Sequence, residues 1–215
     1  MLFRYTATPH VRRHGPRGYQ DTRSYKLWLR DEFAFQCVYC LCRERWFPDG
    51  DDNMSIDHVR PSRVAPAQRS TYENLVYACC QCNASKQDTT GVLDPCEEPF
   101  GYHLEVLDDG TIRGLTPPGV ALIRICRLDR PKLTAFRHEM LEVWRTLERR
   151  HGPEAAAMRR RFFGFPANLP NLAALRPPGG NTRPQGIAQS YSERQRRGEL
   201  PAIYRSSENK LEIQD

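Results

Sequence analysis

The chain has 215 residues, a formal net charge of +6 carried mostly by arginine, 17 prolines, 14 glycines and eight cysteines. That length suits one well-cored domain or a small domain with ordered extensions. No window approaches the roughly 20 apolar residues of a membrane helix, which excludes a membrane-spanning helix and a membrane partner.

Along the chain, residues 1–30 read as a basic N-terminal arm, aperiodic through Arg23, with a helix over 24–35 leading into the first cysteine pair. The start MLFRYTATPHVRR has no apolar stretch behind it, so no secretory leader is read and a cytoplasmic location is expected. Residues 31–95 form a cysteine-rich core. Residues 96–150 are expected as a β-hairpin turning at Asp109-Gly110, an interruption at Pro117-Pro118-Gly119, and a helix opened by Pro131. In that helix Leu133, Phe136, Met140, Trp144 and Leu147 recur at steps of three and four, a stripe that marks core or a partner surface. Residues 151–215 read as a basic extension containing Pro and Gly, loosely ordered, with a short helix near 191–197. The fold class expected is α+β.

Six of the eight cysteines lie between Cys37 and Cys82. In a reducing compartment such clustering favours a metal over disulfides. Cys37-Val-Tyr-Cys40 and Cys79-Cys80-Gln-Cys82 are two C-x-x-C turns, able to supply four thiolates to a closed tetrahedral zinc. Cys42 and Cys80 offer competing registers and are read as extras; Cys96 and Cys126 are read as buried or free thiols. A site with four thiolates has no open position, so this zinc is structural.

Between the turns lie Asp57 and His58, with Asn74 before the second turn and Asn83 directly after its last cysteine. The string Cys37, Cys40, Asp57, His58, Asn74, Leu75, Cys79, Cys82, Asn83 and Lys86 resembles the HNH endonucleases, whose core is a ββα-metal fold. The final histidine of the family name is asparagine here, an H-N-N variant. A looser resemblance to some bacterial members continues through 110–115 and 128–137. The resemblance implies that Asp57 and His58 sit on the hairpin and that Asn83 opens the following helix, whose N-terminus favours phosphate. It implies catalytic roles for His58, Asp57, Asn74 and Asn83: His58 as the base that deprotonates water, Asp57 and Asn83 as ligands of a Mg²⁺ or Mn²⁺ ion, and Asn74 as a brace for the loop behind His58. Lys86, Arg60 and Arg63 become candidate nucleic-acid contacts, with DNA the favoured substrate. Small members of this kind act as the cutting subunit beside an ATPase in bacterial phage-defence systems, so an ATPase or other protein partner in a defence or restriction complex is also an expectation. The flexible basic ends are expected to add sequence-independent grip, and the helix after Pro131 to offer a docking surface.

Two other classes compete. A silent zinc module binding nucleic acid or protein needs the same cysteines, but it has no use for the Asp57-His58 pair and Asn83. A redox switch working through the spare cysteines is supported by clustering alone.

Overall fold

The computed structural model describes residues 2–204. At its centre β1 (Met54–His58) pairs antiparallel with β2 (Leu75–Cys79), in a register running from Met54 opposite Cys79 to His58 opposite Leu75. Helix α2 (Cys80–Lys86) leaves β2 without a loop, because Cys79 is the last strand residue and also the helix cap, its Sγ accepting from the Cys82 N–H at 3.4 Å. The helix stops at Gln87, whose φ of 50° carries the chain out of the turn. The first cysteine turn is pinned to this hairpin by the Val38 N–H donating to the Tyr77 carbonyl at 2.9 Å. Ahead of it, α1 (Lys26–Glu32) buries Trp28 and Leu29 against the hairpin. Each such fully buried side chain stabilises the fold by roughly 1.5–3 kcal/mol.

The second half adds a hairpin and helices, making the fold α+β. Strands β3 (Leu104–Val106) and β4 (Ile112–Gly114) form the expected hairpin. Gly110 at its turn has a φ of +85° and lies so close to α4 (Pro131–Glu148) that a Cβ would stand 2.6 Å from the backbone of Thr134 and His138. Pro117-Pro118-Gly119 is not an interruption: it is the first turn of α3 (Pro117–Cys126), capped by Thr116 Oγ1 accepting from the Gly119 N–H. Proline is tolerated there because first-turn N–H groups have no intrahelical acceptor. Along α4, Leu133, Met140, Trp144 and Leu147 are buried and Phe136 half-buried, packed with α5 (Pro153–Phe163). The stripe is therefore core, the first of its two readings, and leaves Lys132, Glu139 and Glu142 on the exposed face of this helix. No described helix is long and apolar enough to cross a membrane.

The described parts of both end segments, from residue 2 and through residue 204, are packed, against the expectation of flexible arms. Phe3, Tyr5, Arg12 and His14 are buried. Asp31 and Glu32, at the end of α1, gather this segment. Glu32 accepts from His10 Nε2, from the Arg13 and His14 N–H groups and from the Tyr72 hydroxyl, while Asp31 accepts from His14 Nε2 and pairs with Arg13. Arg12 stacks over Phe33 and Tyr72 and donates to the Leu75 carbonyl at 2.7 Å. The C-terminal part closes over both. Tyr191, first residue of α7 (Tyr191–Arg196) after the short α6 (Gln185–Ala188), donates its N–H to Asp31 at 2.8 Å, and Arg43 donates to the carbonyls of Phe163 and Tyr204. The helix expected near 191–197 is α7. These arginines serve the interior and not a free basic surface. Residue 1 and residues 205–215, part of the expected end segments, lie outside the described residues.

Candidate functional site

The Sγ atoms of Cys37, Cys40, Cys79 and Cys82 all lie within 4.8 Å of one another, every one buried. A tetrahedral zinc with bonds of about 2.3 Å spaces its sulfurs about 3.8 Å apart, and Cys40 and Cys79 are 3.8 Å apart. Burial, then hydrogen bonds from the neighbouring sulfurs, raises the Cys37 thiol well above its ordinary value, whereas thiol hydrogen bonds led by Cys37 hold Cys40 well below its own. Four thiols packed this way cannot all ionise without a cation among them, and a divalent ion that prefers sulfur supplies it. The residues fit a structural zinc. The register left open by Cys42 and Cys80 is settled by position. Cys42 is buried beside Cys40, outside the group of four, and Cys80 points outward, its Sγ 3.9 Å from the Asp52 carbonyl.

Strand alternation sends Asp57 and His58 to opposite sides of β1. Asp57, 4% exposed, accepts from the Tyr39 hydroxyl at 2.6 Å on Oδ2 and from Lys86 Nζ at 3.1 Å on Oδ1. Burial raises its pKa, with Lys86 and then Tyr39 opposing the shift. Lys86 is 0% exposed and donates also to the His58 carbonyl at 2.7 Å. This corrects its expected place as a phosphate contact: on the inner face of α2 its ammonium neutralises Asp57 and ties down the backbone of the Asp-His pair. Arg60 is exposed but paired with Glu97 at 3.1 Å, while Arg63 is exposed and, among the described residues, makes no ion pair.

His58 ends β1 half-buried, and its Nε2 lies 2.9 Å from the Arg69 carbonyl. A carbonyl only accepts, so Nε2 carries the proton of the neutral ring and Nδ1 keeps the basic lone pair. Asn74 braces the loop that brings Arg69 there. Its Oδ1 accepts from the Arg60 N–H, its Nδ2 donates to the Arg60 and Gln68 carbonyls, and its own carbonyl accepts from the Val59 N–H. Both ends of the Asn74 amide are thus engaged within the loop that carries Arg69. Asn83 donates Nδ2 to Ser55 Oγ and the Ile56 carbonyl, which fixes the amide's orientation and leaves Oδ1 without a hydrogen bond among the described residues. Because Ser55 and Asp57 share one face of β1, Asn83 stands on the Asp57 side. No side-chain hydrogen bond among the described residues joins His58 to Asp57 or Asn83. Arg69 escaped the sequence reading, since its part is played by a backbone carbonyl; its guanidinium, exposed and without an ion pair among the described residues, lies on the same loop.

For a hard divalent ion the donor types fit: an amide oxygen on Asn83, and a carboxylate whose two oxygens each keep a lone pair beyond Tyr39 and Lys86. Asp57 and Lys86 together carry no net charge, so water and phosphate oxygens would complete the shell of such an ion.

The family model described as HNH endonuclease matches residues 37–89. No curated protein matches the chain.

Proposed function

Because the chain carries an HNH endonuclease domain over residues 37–89, we propose that it hydrolyses phosphodiester bonds of nucleic acid, DNA foremost, in a reaction dependent on Mg²⁺ or Mn²⁺. The observation that supports this most is the ring of His58, held through Nε2 by the Arg69 carbonyl so that Nδ1 is the free base. In this reading Nδ1 takes a proton from water, whose oxygen bonds to phosphorus as the bond to the ester oxygen breaks; the leaving oxygen takes its proton from solvent. A divalent ion held by Asn83 and Asp57, on the side of β1 opposite the His58 ring, would supply charge stabilisation to a phosphate lying across the end of that strand, between the two. Lys86 and Tyr39 fix the Asp57 carboxylate, Asn74 fixes the loop behind His58, and the zinc holds β2 and α2 to the first cysteine turn. Arg63 and Arg69 are the proposed phosphate contacts, with Arg60 available to substrate once it leaves Glu97.

The segment boundaries keep their proposed form: a nuclease core at 31–95, bracketed by the 1–30 segment, the hairpin and helix extension at 96–150, and the extension at 151–215. A role as the cutting subunit of a phage-defence or restriction complex in the cytoplasm, beside an ATPase, rests on the family resemblance. Full-rate cutting by the isolated chain, with no ATPase co-purifying, would overturn it.

The deciding experiment compares wild type and His58→Ala on duplex DNA and on RNA, with Mg²⁺, with Mn²⁺ and with chelator, alongside zinc quantification. Loss of a general base is expected to slow cleavage by about 10²–10⁴-fold with zinc content and fold unchanged. Equal cutting by the variant removes His58 from the mechanism. Binding of DNA without cutting by either protein favours the silent zinc module or a missing partner instead.

A further inference from the structure

Arg137 poses a problem in the core. It lies on α4 with 0% exposure, and its guanidinium donates once, from Nη1 to the Leu128 carbonyl at 2.8 Å. Its Nε and Nη2 have no hydrogen-bond partner, and no carboxylate pairs with it among the described residues. An arginine stays charged under all ordinary conditions, and a buried charge without a counter-charge is strongly destabilising. The phenol of Tyr5 is not that counter-charge. Burial holds its pKa far above the ordinary value, and its hydroxyl donates to the Tyr39 carbonyl at 2.5 Å. The Leu128 carbonyl that holds Arg137 belongs to the short connection between α3 and α4, which also carries Arg130.

A second arginine arrives from the same direction. Arg130, the residue that caps α4, places Nη1 and Nη2 each 3.9 Å from Cys82 Sγ, with Nη1 also on the Arg127 carbonyl at 2.9 Å. Four thiolates around one Zn²⁺ carry two net negative charges. We infer that Arg130 and Arg137 are the built-in counter-charges of the zinc–thiolate centre, so that the start of α4, outside the 37–89 segment, completes the metal site. Two guanidinium groups balance the two net negative charges. Arg130 does so through N–H···S contacts at the rim, Arg137 as a buried cation held on the Leu128 carbonyl beside it. Partners of this sort around metal ligands tune affinity although they do not touch the ion. The inference depends on the four cysteines holding zinc and not on the chemistry proposed for His58.

The test uses the full chain with Arg137→Met, Arg137→Lys, Arg130→Gln and Arg130→Lys, and three readouts: zinc per chain by mass spectrometry, zinc release to a chromophoric chelator, and urea stability of loaded and stripped protein. Neutral variants are expected to bind zinc about 10–100-fold more weakly, and the lysine variants to recover most of that loss. Stripped Arg137→Met should be at least as stable as stripped wild type, because removing the metal leaves Arg137 uncompensated. Equal destabilisation of loaded and stripped Arg137→Met, with unchanged zinc affinity, would mean that Arg137 only fills space and would overturn the inference. Wild-type protein without zinc would overturn it too. If Arg137→Met does not fold, the half-buried Arg130→Gln decides: wild-type zinc release refutes the idea, faster release supports it.

Discussion

Replacing Lys86 with Met keeps the length of the side chain and removes its charge, leaving Asp57 buried with only the Tyr39 hydroxyl. At the observed 3.1 Å and an effective dielectric of about 20, the lost attraction is about 5 kcal/mol. Asp57 can escape part of that loss by taking up a proton. From its ordinary pKa of 3.8, protonation costs about 4 kcal/mol at pH 7 and about 2 kcal/mol at pH 5.5, which caps the loss. The expected destabilisation is therefore about 3–4 kcal/mol at pH 7, in the range found for broken buried pairs, and about 2 kcal/mol at pH 5.5. The sign follows from the direction of the shift. A carboxylate whose native pKa is raised favours folding below its ordinary value and loses that contribution as pH rises through the native one. Without Lys86 the native value rises further, so the deficit grows toward neutral pH. Urea denaturation of wild type and variant in zinc-containing buffer at both pH values measures it. Adding Asp57→Asn to the variant should recover most of the loss at pH 7, since neither charge then remains. A loss under about 1 kcal/mol at pH 7, or an equal loss at both pH values, would refute Lys86 as the buried counter-charge of Asp57.

Glu32→Gln should loosen the N-terminal segment. Burial pushes the Glu32 carboxyl up, but the hydrogen bond from His10 and the charges of His10, Arg13 and His14 outweigh it and hold the pKa well below the usual range. The stability it contributes is thus present above the ordinary carboxylate pKa and lost as pH falls toward the native one. The substitution should cost about 3 kcal/mol and speed amide exchange over residues 10–14; unchanged exchange there would contradict the network. Among the cysteines, Cys80→Ser and Cys42→Ser should keep zinc while Cys82→Ser loses it, and a thiol reagent should label Cys80 first in the native protein. Retention of zinc by Cys82→Ser would displace the assigned ligand set. Removing Arg63 or Arg69 should lower the slope of log affinity against log salt for duplex DNA by about 0.9 for each phosphate left without its arginine; an unaltered slope places the phosphate elsewhere.

What could be read from the sequence was mostly local. The C-x-x-C spacing named all four sulfurs because a short turn fixes which side chains converge, and Asp109-Gly110 and the stripe from Leu133 to Leu147 announced a hairpin and a helix for the same reason. The errors arose where distant residues decide the outcome. Lys86 looked like a surface cation on a short helix, and nothing near it in sequence says that Asp57 waits 29 residues earlier. The arginines of the first segment looked free because their acceptors, Asp31, Glu32 and the Leu75 carbonyl, belong to other elements. At the candidate site, Asp57, His58, Asn74 and Asn83 were legible as a set through the family pattern. The tautomer of His58 was not, because a backbone carbonyl sets it and carries no side-chain signature.

The long reach of these contacts bears on how the molecule is made. Asp31 meets the Tyr191 N–H across 160 residues, and Arg43 meets Phe163 and Tyr204 across 120 and 161; such closures are slow to form. At synthesis rates of about 5–20 residues per second, the ligands through Cys82 emerge several seconds before Arg130 and Arg137, and longer still before Tyr204. During that interval the sulfur cluster faces solvent without its cover. Until then the four cysteines lack the arginines and the closing contacts that complete their site, so the metal centre is finished late, together with the fold as a whole.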